Sequence, residues 1–156
     1  MDLQRTERDP LTEKIIGCAI EVHRTLGPGL LESAYEQCLA RELSLQDVGF
    51  RLQVPVPVEY KGVHLDCGYR IDVLVNEQVI LELKSLERTL AIHEAQLLTY
   101  MKLANVAKGL LINFNVRRLV DGIRGFGFDQ IVCTTESTEH TEKCQFCVVN
   151  SSSNTL

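Results

Sequence analysis

Residues 69–85, YRIDVLVNEQVILELKS, hold two apolar runs around Asn76-Glu77-Gln78, and a hairpin is the structure that accommodates both. With those three residues as the hairpin loop, Val75 pairs with Val79. Asp72 then falls opposite Glu82, and Arg70 opposite Lys84. Period-two alternation sets all four on one sheet face, where directly opposed Cβ atoms lie about 4.5–5.5 Å apart. Two carboxylates that close repel each other unless positive charge lies between them. A divalent cation suits the place, since Mg²⁺ takes one or two carboxylates together with water and phosphate oxygens. Lys84, two residues along the same face, reaches the same point. A solvated face of cross-strand ion pairs would use the same four residues. Against it, Val79, Ile80 and Leu81 precede Glu82 and Leu83 follows, so both faces of this strand read as buried, and a buried acid needs a partner or a metal.

The flanking segments build a domain around this hairpin. Asp9-Pro10 supplies an N-cap residue and a proline for the first helical turn. Leu11, Ile15, Cys18, Ala19, Val22 and Leu26 then mark one apolar helix face. Gly27-Pro28-Gly29 stops that helix. A second is expected from about Leu30 to Gln46, with Leu31, Ala34, Tyr35, Cys38, Leu39 and Leu43 on its apolar face. On the helical wheel Glu32 falls inside that arc, as does Glu42. From Phe50 the period changes to two. Val54, Val56 and Val58 alternate with Pro55, Pro57 and Glu59, an edge-strand pattern because proline lacks a ladder donor. Strands are expected over 63–67, 69–75, 79–84, 108–114 and 123–128, with a helix over 90–105. The order is two N-terminal helices, a β-meander, a crossover helix and a further strand. That is an α/β or α+β domain with a mixed sheet.

Domain boundaries follow from composition. Residues 1–130 suffice for one domain. Residues 131–156 are rich in Ser and Thr, lack periodicity and read as a disordered tail. The 156-residue chain carries 16 Lys and Arg against 21 Asp and Glu, a formal charge of −5. Lys143 against Glu136, Glu139 and Glu142 places two of those five negative charges in the tail. Binding nucleic acid by net basic charge alone is thereby excluded, although a local basic groove is not. No run approaches the roughly 18 apolar residues of a membrane span, the polar N-terminus is no signal peptide, and the expected compartment is cytoplasmic. The six cysteines then read mostly as free thiols. Cys144-Gln-Phe-Cys147, with Cys133 and His140 nearby, is a lone C-x-x-C and an unspecific metal signal.

Asp72, followed ten residues later by Glu82-Leu83-Lys84 on an apolar strand, resembles the PD-(D/E)XK nuclease superfamily. Gly29-Leu-Leu-Glu32-Ser-Ala-Tyr35 is similar to the G-x-x-E-x-x-Y signature of that superfamily's GxxExxY branch, and His23 to Pro28 resembles its lead-in. Gln96-Leu-Leu-Thr-Tyr100 resembles the branch's Q-x-x-x-Y helix. The residue before Asp72 is Ile71 rather than proline. The resemblance implies a restriction-endonuclease-like core that hydrolyses phosphodiester bonds of nucleic acid, DNA above all, with a Mg-bound water as nucleophile. Asp72 and Glu82 would ligate Mg²⁺ or Mn²⁺, with Glu32 completing or supporting the metal shell. Lys84 would activate the attacking water and stabilise phosphate charge, and Gln96 and Tyr100 would line the site. Arg70, Lys102 and Arg88 are the expected substrate contacts. A homodimer or a protein partner is compatible with so small a nuclease, and the competing reading is a catalytically silent binding or regulatory module.

Overall fold

The computed structural model describes residues 9–128. The expected tail over 131–156, with Cys133, Cys144 and Cys147, lies outside the described residues. Among the described residues three α-helices, α1 (Pro10–Leu26), α2 (Glu32–Leu45) and α3 (Ala91–Ala104), accompany seven strands. The strands are β1 (Phe50–Pro55), β2 (Val58–Tyr60), β3 (Val63–Leu65), β4 (Arg70–Val75), β5 (Val79–Lys84), β6 (Lys108–Asn113) and β7 (Ile123–Gly127). A five-stranded sheet runs β1-β4-β5-β6-β7. Its β5–β6 pair is parallel, joined by the α3 crossover, and its other pairs are antiparallel. This is the mixed-sheet α+β core expected from the sequence. Among the described residues no helix is long and apolar enough to cross a membrane.

Two apolar layers cover the sheet. Ile15, Ala19, Val22, Leu39 and Leu43 from α1 and α2 pack on Val73, Val75, Leu81 and Ile112. Leu97, Tyr100 and Met101 from α3 pack on Ile71, Leu74, Ile80 and Leu111. The strands between the layers, β5 and β6, are buried on both faces, which is why their sequences are nearly continuous apolar runs.

The elements depart from the sequence expectation in several places. The strands do not form one continuous meander. Chain direction breaks at Val56-Pro57, β2 and β3 make a separate two-stranded sheet, and β1 pairs with β4 at the edge of the main sheet. The helix expected from Leu30 begins at Glu32, and Leu31 is 77% exposed instead of lying on the apolar face. The wheel applies only where the helix lies on the sheet, and its first turn does not. Asp9 occupies the N-cap position without a side-chain cap bond. Its carboxylate is taken by Lys108 Nζ at 3.0 Å and by the Thr12 hydroxyl.

Tyr35 fixes the approach to α2. Its ring is fully buried and stacked on Phe114 with centroids 4.3 Å apart. Its hydroxyl donates to the Gly27 carbonyl at 2.6 Å and accepts from the Leu30 N–H at 3.2 Å. Gly29 has φ +99°, a conformation glycine adopts without Cβ strain. Ser85 Oγ donates to the Leu30 carbonyl at 2.6 Å, tying this loop to the end of β5. Tyr35→Phe keeps the stack and removes both loop bonds. It is expected to lower unfolding stability by about 1–3 kcal/mol, measured by urea denaturation, with the fold unchanged by circular dichroism.

Candidate active site

The β4–β5 register runs Val75↔Val79, Leu74↔Ile80 and Val73↔Leu81, as the hairpin numbering requires, and then ends. From there β4 continues beside β1, through Ile71↔Val54 and Arg70↔Pro55. β5 continues beside β6 as far as Lys84↔Asn113. The sheet opens between Asp72 and Glu82. Across the opening Asp72 Oδ2 accepts the Leu83 N–H at 2.8 Å, standing in for a strand carbonyl.

Glu82 is the least satisfied charge near this opening. The residue is 3% exposed. Its Oε1 accepts from Lys84 Nζ at 3.2 Å, whereas its Oε2 has no partner. Burial first, then the Asp72 charge, pushes its carboxyl up to about 7 against the pull of Lys84. Burial also raises Asp72, opposed by the Leu83 N–H. Burial works against the charge on Lys84, yet Glu82, Glu32 and Asp72 together hold it above the usual lysine range.

Helix α3 borders the opening from one side. Gln96 Nε2 donates to the Tyr100 hydroxyl at 2.8 Å. Burial raises the Tyr100 hydroxyl, Gln96 opposes, and the charges of Glu82, Lys84 and Asp72 all act on it. Helix α2 borders it from the other. Glu32 is exposed in the first turn, not enclosed in the apolar arc, and its Oε1 accepts the Ser85 N–H at 3.4 Å. Its charge acts on Asp72, Glu82 and Lys84. Asn113 secures the chain just beyond Lys84: its Oδ1 accepts the Leu86 N–H at 3.1 Å and its Nδ2 donates to the Leu86 carbonyl at 2.9 Å.

The expected substrate contacts are dispersed. Arg70 does not pair across from Lys84, because the ladder has already ended. It is exposed and donates to the Gln53 carbonyl at 3.3 Å. Arg88, with Arg124, lines a cleft of about 240 Å³ beyond the end of β5. Lys102 is exposed in the last turn of α3.

Glu36 escaped the sequence reading. It is a buried acid one helical turn after Glu32. Its charge acts on Asp72. The signal available was the i, i+4 spacing that sets Glu32 and Glu36 on one helix face.

The donor chemistry suits a hard divalent cation: carboxylate oxygens, one of them buried and unpartnered, with an ammonium alongside. Among the described residues no three His, Cys, Asp or Glu side chains form a ready ion-binding group. An ion here would complete its shell with water or substrate oxygens, as Mg²⁺ commonly does.

A family model described as the PD-(D/E)XK nuclease superfamily matches residues 9–126. No curated protein and no solved structure matches the chain.

The raised Glu82 carboxyl has a consequence for stability. Between its ordinary 4.5 and about 7 the folded state retains a proton that the unfolded chain has released. Metal-free stability therefore falls as pH rises through that window, by on the order of 3 kcal/mol from Glu82 alone. Glu82→Gln is expected to flatten that slope in chemical denaturation series from pH 4.5 to 8.

Proposed function

Because the chain belongs to the PD-(D/E)XK nuclease superfamily, we propose that it is a metal-dependent nuclease of the GxxExxY branch, hydrolysing phosphodiester bonds of DNA with Mg²⁺ or Mn²⁺. The observation that carries this reading is the buried Glu82 Oε2, unpartnered beside Asp72 and Lys84 where β4 and β5 part. A purely structural carboxylate in that position would be costly and unexplained.

Asp72 and Glu82 would hold the ion from the two sides of the opening, with Glu32, in the first turn of α2, completing or supporting its shell. A divalent cation there would supply positive charge against the scissile phosphate and a more acidic water beside it. Lys84 Nζ, now on Glu82, supplies positive charge where the phosphate becomes more negative, and it orients the attacking water. Gln96 and Tyr100 bound the site on the α3 side, their mutual hydrogen bond fixing both polar groups. Arg88 in its cleft, together with Arg70 and Lys102, contacts flanking phosphates. The branch assignment is supported by the mutual dependence of Gly29, Glu32 and Tyr35: the glycine turns the chain, and the tyrosine holds the loop that delivers the acid to α2.

With a net charge of −5, binding should be weak without metal and steeply salt-dependent with it. The full chain is incubated with single- and double-stranded DNA and RNA in Mg²⁺ or Mn²⁺, beside Asp72→Ala and Lys84→Ala. Each substitution is expected to slow DNA cleavage about 100-fold or more. Equal cleavage by parent and variants would sink the site. Metal binding by calorimetry with no cleavage of any substrate would favour the catalytically silent module.

A further inference from the structure

We propose that Gln53 is a positioning residue of the active site, its backbone turned out of the strand conformation so that its side-chain amide holds Glu36 in place beside Asp72. The inference rests on the nuclease reading and adds to it a second helical acid with its holder.

Gln53 lies in the middle of β1 with φ +51°, a left-handed value unusual for glutamine inside a strand. It sits at a particular place in the register. Leu52↔Val73 and Val54↔Ile71 are paired, and the rung between them, Gln53 facing Asp72, is the one the register skips. Leu52 and Val73 pack on the cluster beneath α1 and α2, whereas Val54 and Ile71 pack on the cluster beneath α3. Residues two apart in a regular strand share a face. Both strands therefore exchange faces at this one rung, and the left-handed Gln53 is where β1 does so.

The turn is put to use by the side chain. Gln53 Nε2 donates to Glu36 Oε2 at 2.5 Å. Glu36 is 9% exposed and acts electrostatically on Asp72. The Gln53 carbonyl meanwhile accepts from Arg70. One residue in an unfavourable conformation thus links β1, the start of β4 and α2 around the acid that faces Glu82. Such outliers persist where surrounding contacts enforce them and concentrate at functional sites.

Mn²⁺ affinity by calorimetry and metal-free Tm separate positioning from simple support. Glycine adopts φ +51° freely, so in Gln53→Gly the relieved backbone offsets the lost bond to Glu36 and Tm should stay close to that of the parent. Its Mn²⁺ affinity should fall about tenfold, through loss of a bond to a charged group. Gln53→Asn tolerates the same backbone but is one methylene short of Glu36, and it should weaken Mn²⁺ to a similar extent. In a Glu36→Gln background, Gln53→Gly should change affinity by less than about twofold, since the coupling is already gone. Affinity within about twofold of the parent in both single variants would overturn the inference, as would a full loss persisting in the Glu36→Gln background. A parent that binds no Mn²⁺ and cleaves nothing would overturn the nuclease reading and this inference with it. An active, Mn²⁺-binding parent beside unaffected Gln53 variants would overturn this inference alone.

Discussion

Where β4 and β5 part, the Leu83 N–H goes to the carboxylate of Asp72, 2.8 Å away, in place of a strand carbonyl. That bond fixes the mouth of the site. With the ladder ended at Val73↔Leu81, one strand follows β1 and the other follows β6. Asp72 is left on one lip of the gap, and Glu82 and Lys84 on the other. Had the ladder continued, their side chains would have met on a closed sheet face. The helices complete the arrangement: Tyr35 and Ser85 hold the entry to α2 against the end of β5, and Gln96 and Tyr100 approach from α3.

Polar groups are left at a disadvantage in just this region. Glu82 is buried with one oxygen unpartnered, its carboxyl raised to about 7. Asp72 is raised by the same burial, and Gln53 is held left-handed in a strand. Away from the gap the molecule is conventional: two apolar layers on a sheet, a buried strand pair, and surface ion pairs such as Arg51 with Glu77. Exposed pairs of that kind contribute little. Stability comes from the layers, and the gap draws on it. Burial is the main cause in both acids, and a cation between the carboxylates would offset its cost by favouring their charged forms.

Much of this was legible in the sequence because it depends on local periodicity. The Val75↔Val79 register follows from a three-residue loop between two apolar runs, and the burial of Glu82 from its apolar neighbours. The parallel β5–β6 pair follows from an intervening helix. What escaped depends on contacts between distant segments. Alternation says which face a residue takes but not where a side chain outcompetes a carbonyl for an N–H. The ending of the ladder, and with it the displacement of Arg70 from Lys84, could not be read. Leu31 lies in the helical pattern but before the point where α2 meets the sheet. Glutamine carries none of the left-handed preference of glycine or asparagine, so Gln53 gave no local warning. Glu36 became meaningful only when β1 was set beside β4.

The proposed chemistry requires a cation in the gap between Asp72 and Glu82. Anomalous diffraction at the manganese edge, from crystals of the full chain grown with Mn²⁺ near pH 8 where Glu82 is ionised, locates it directly. A single strong peak within coordination distance of both the Asp72 and Glu82 carboxylates, with Lys84 Nζ moved off Glu82, is the predicted result. Manganese found only elsewhere on the molecule, with the Lys84–Glu82 pair intact, would contradict it.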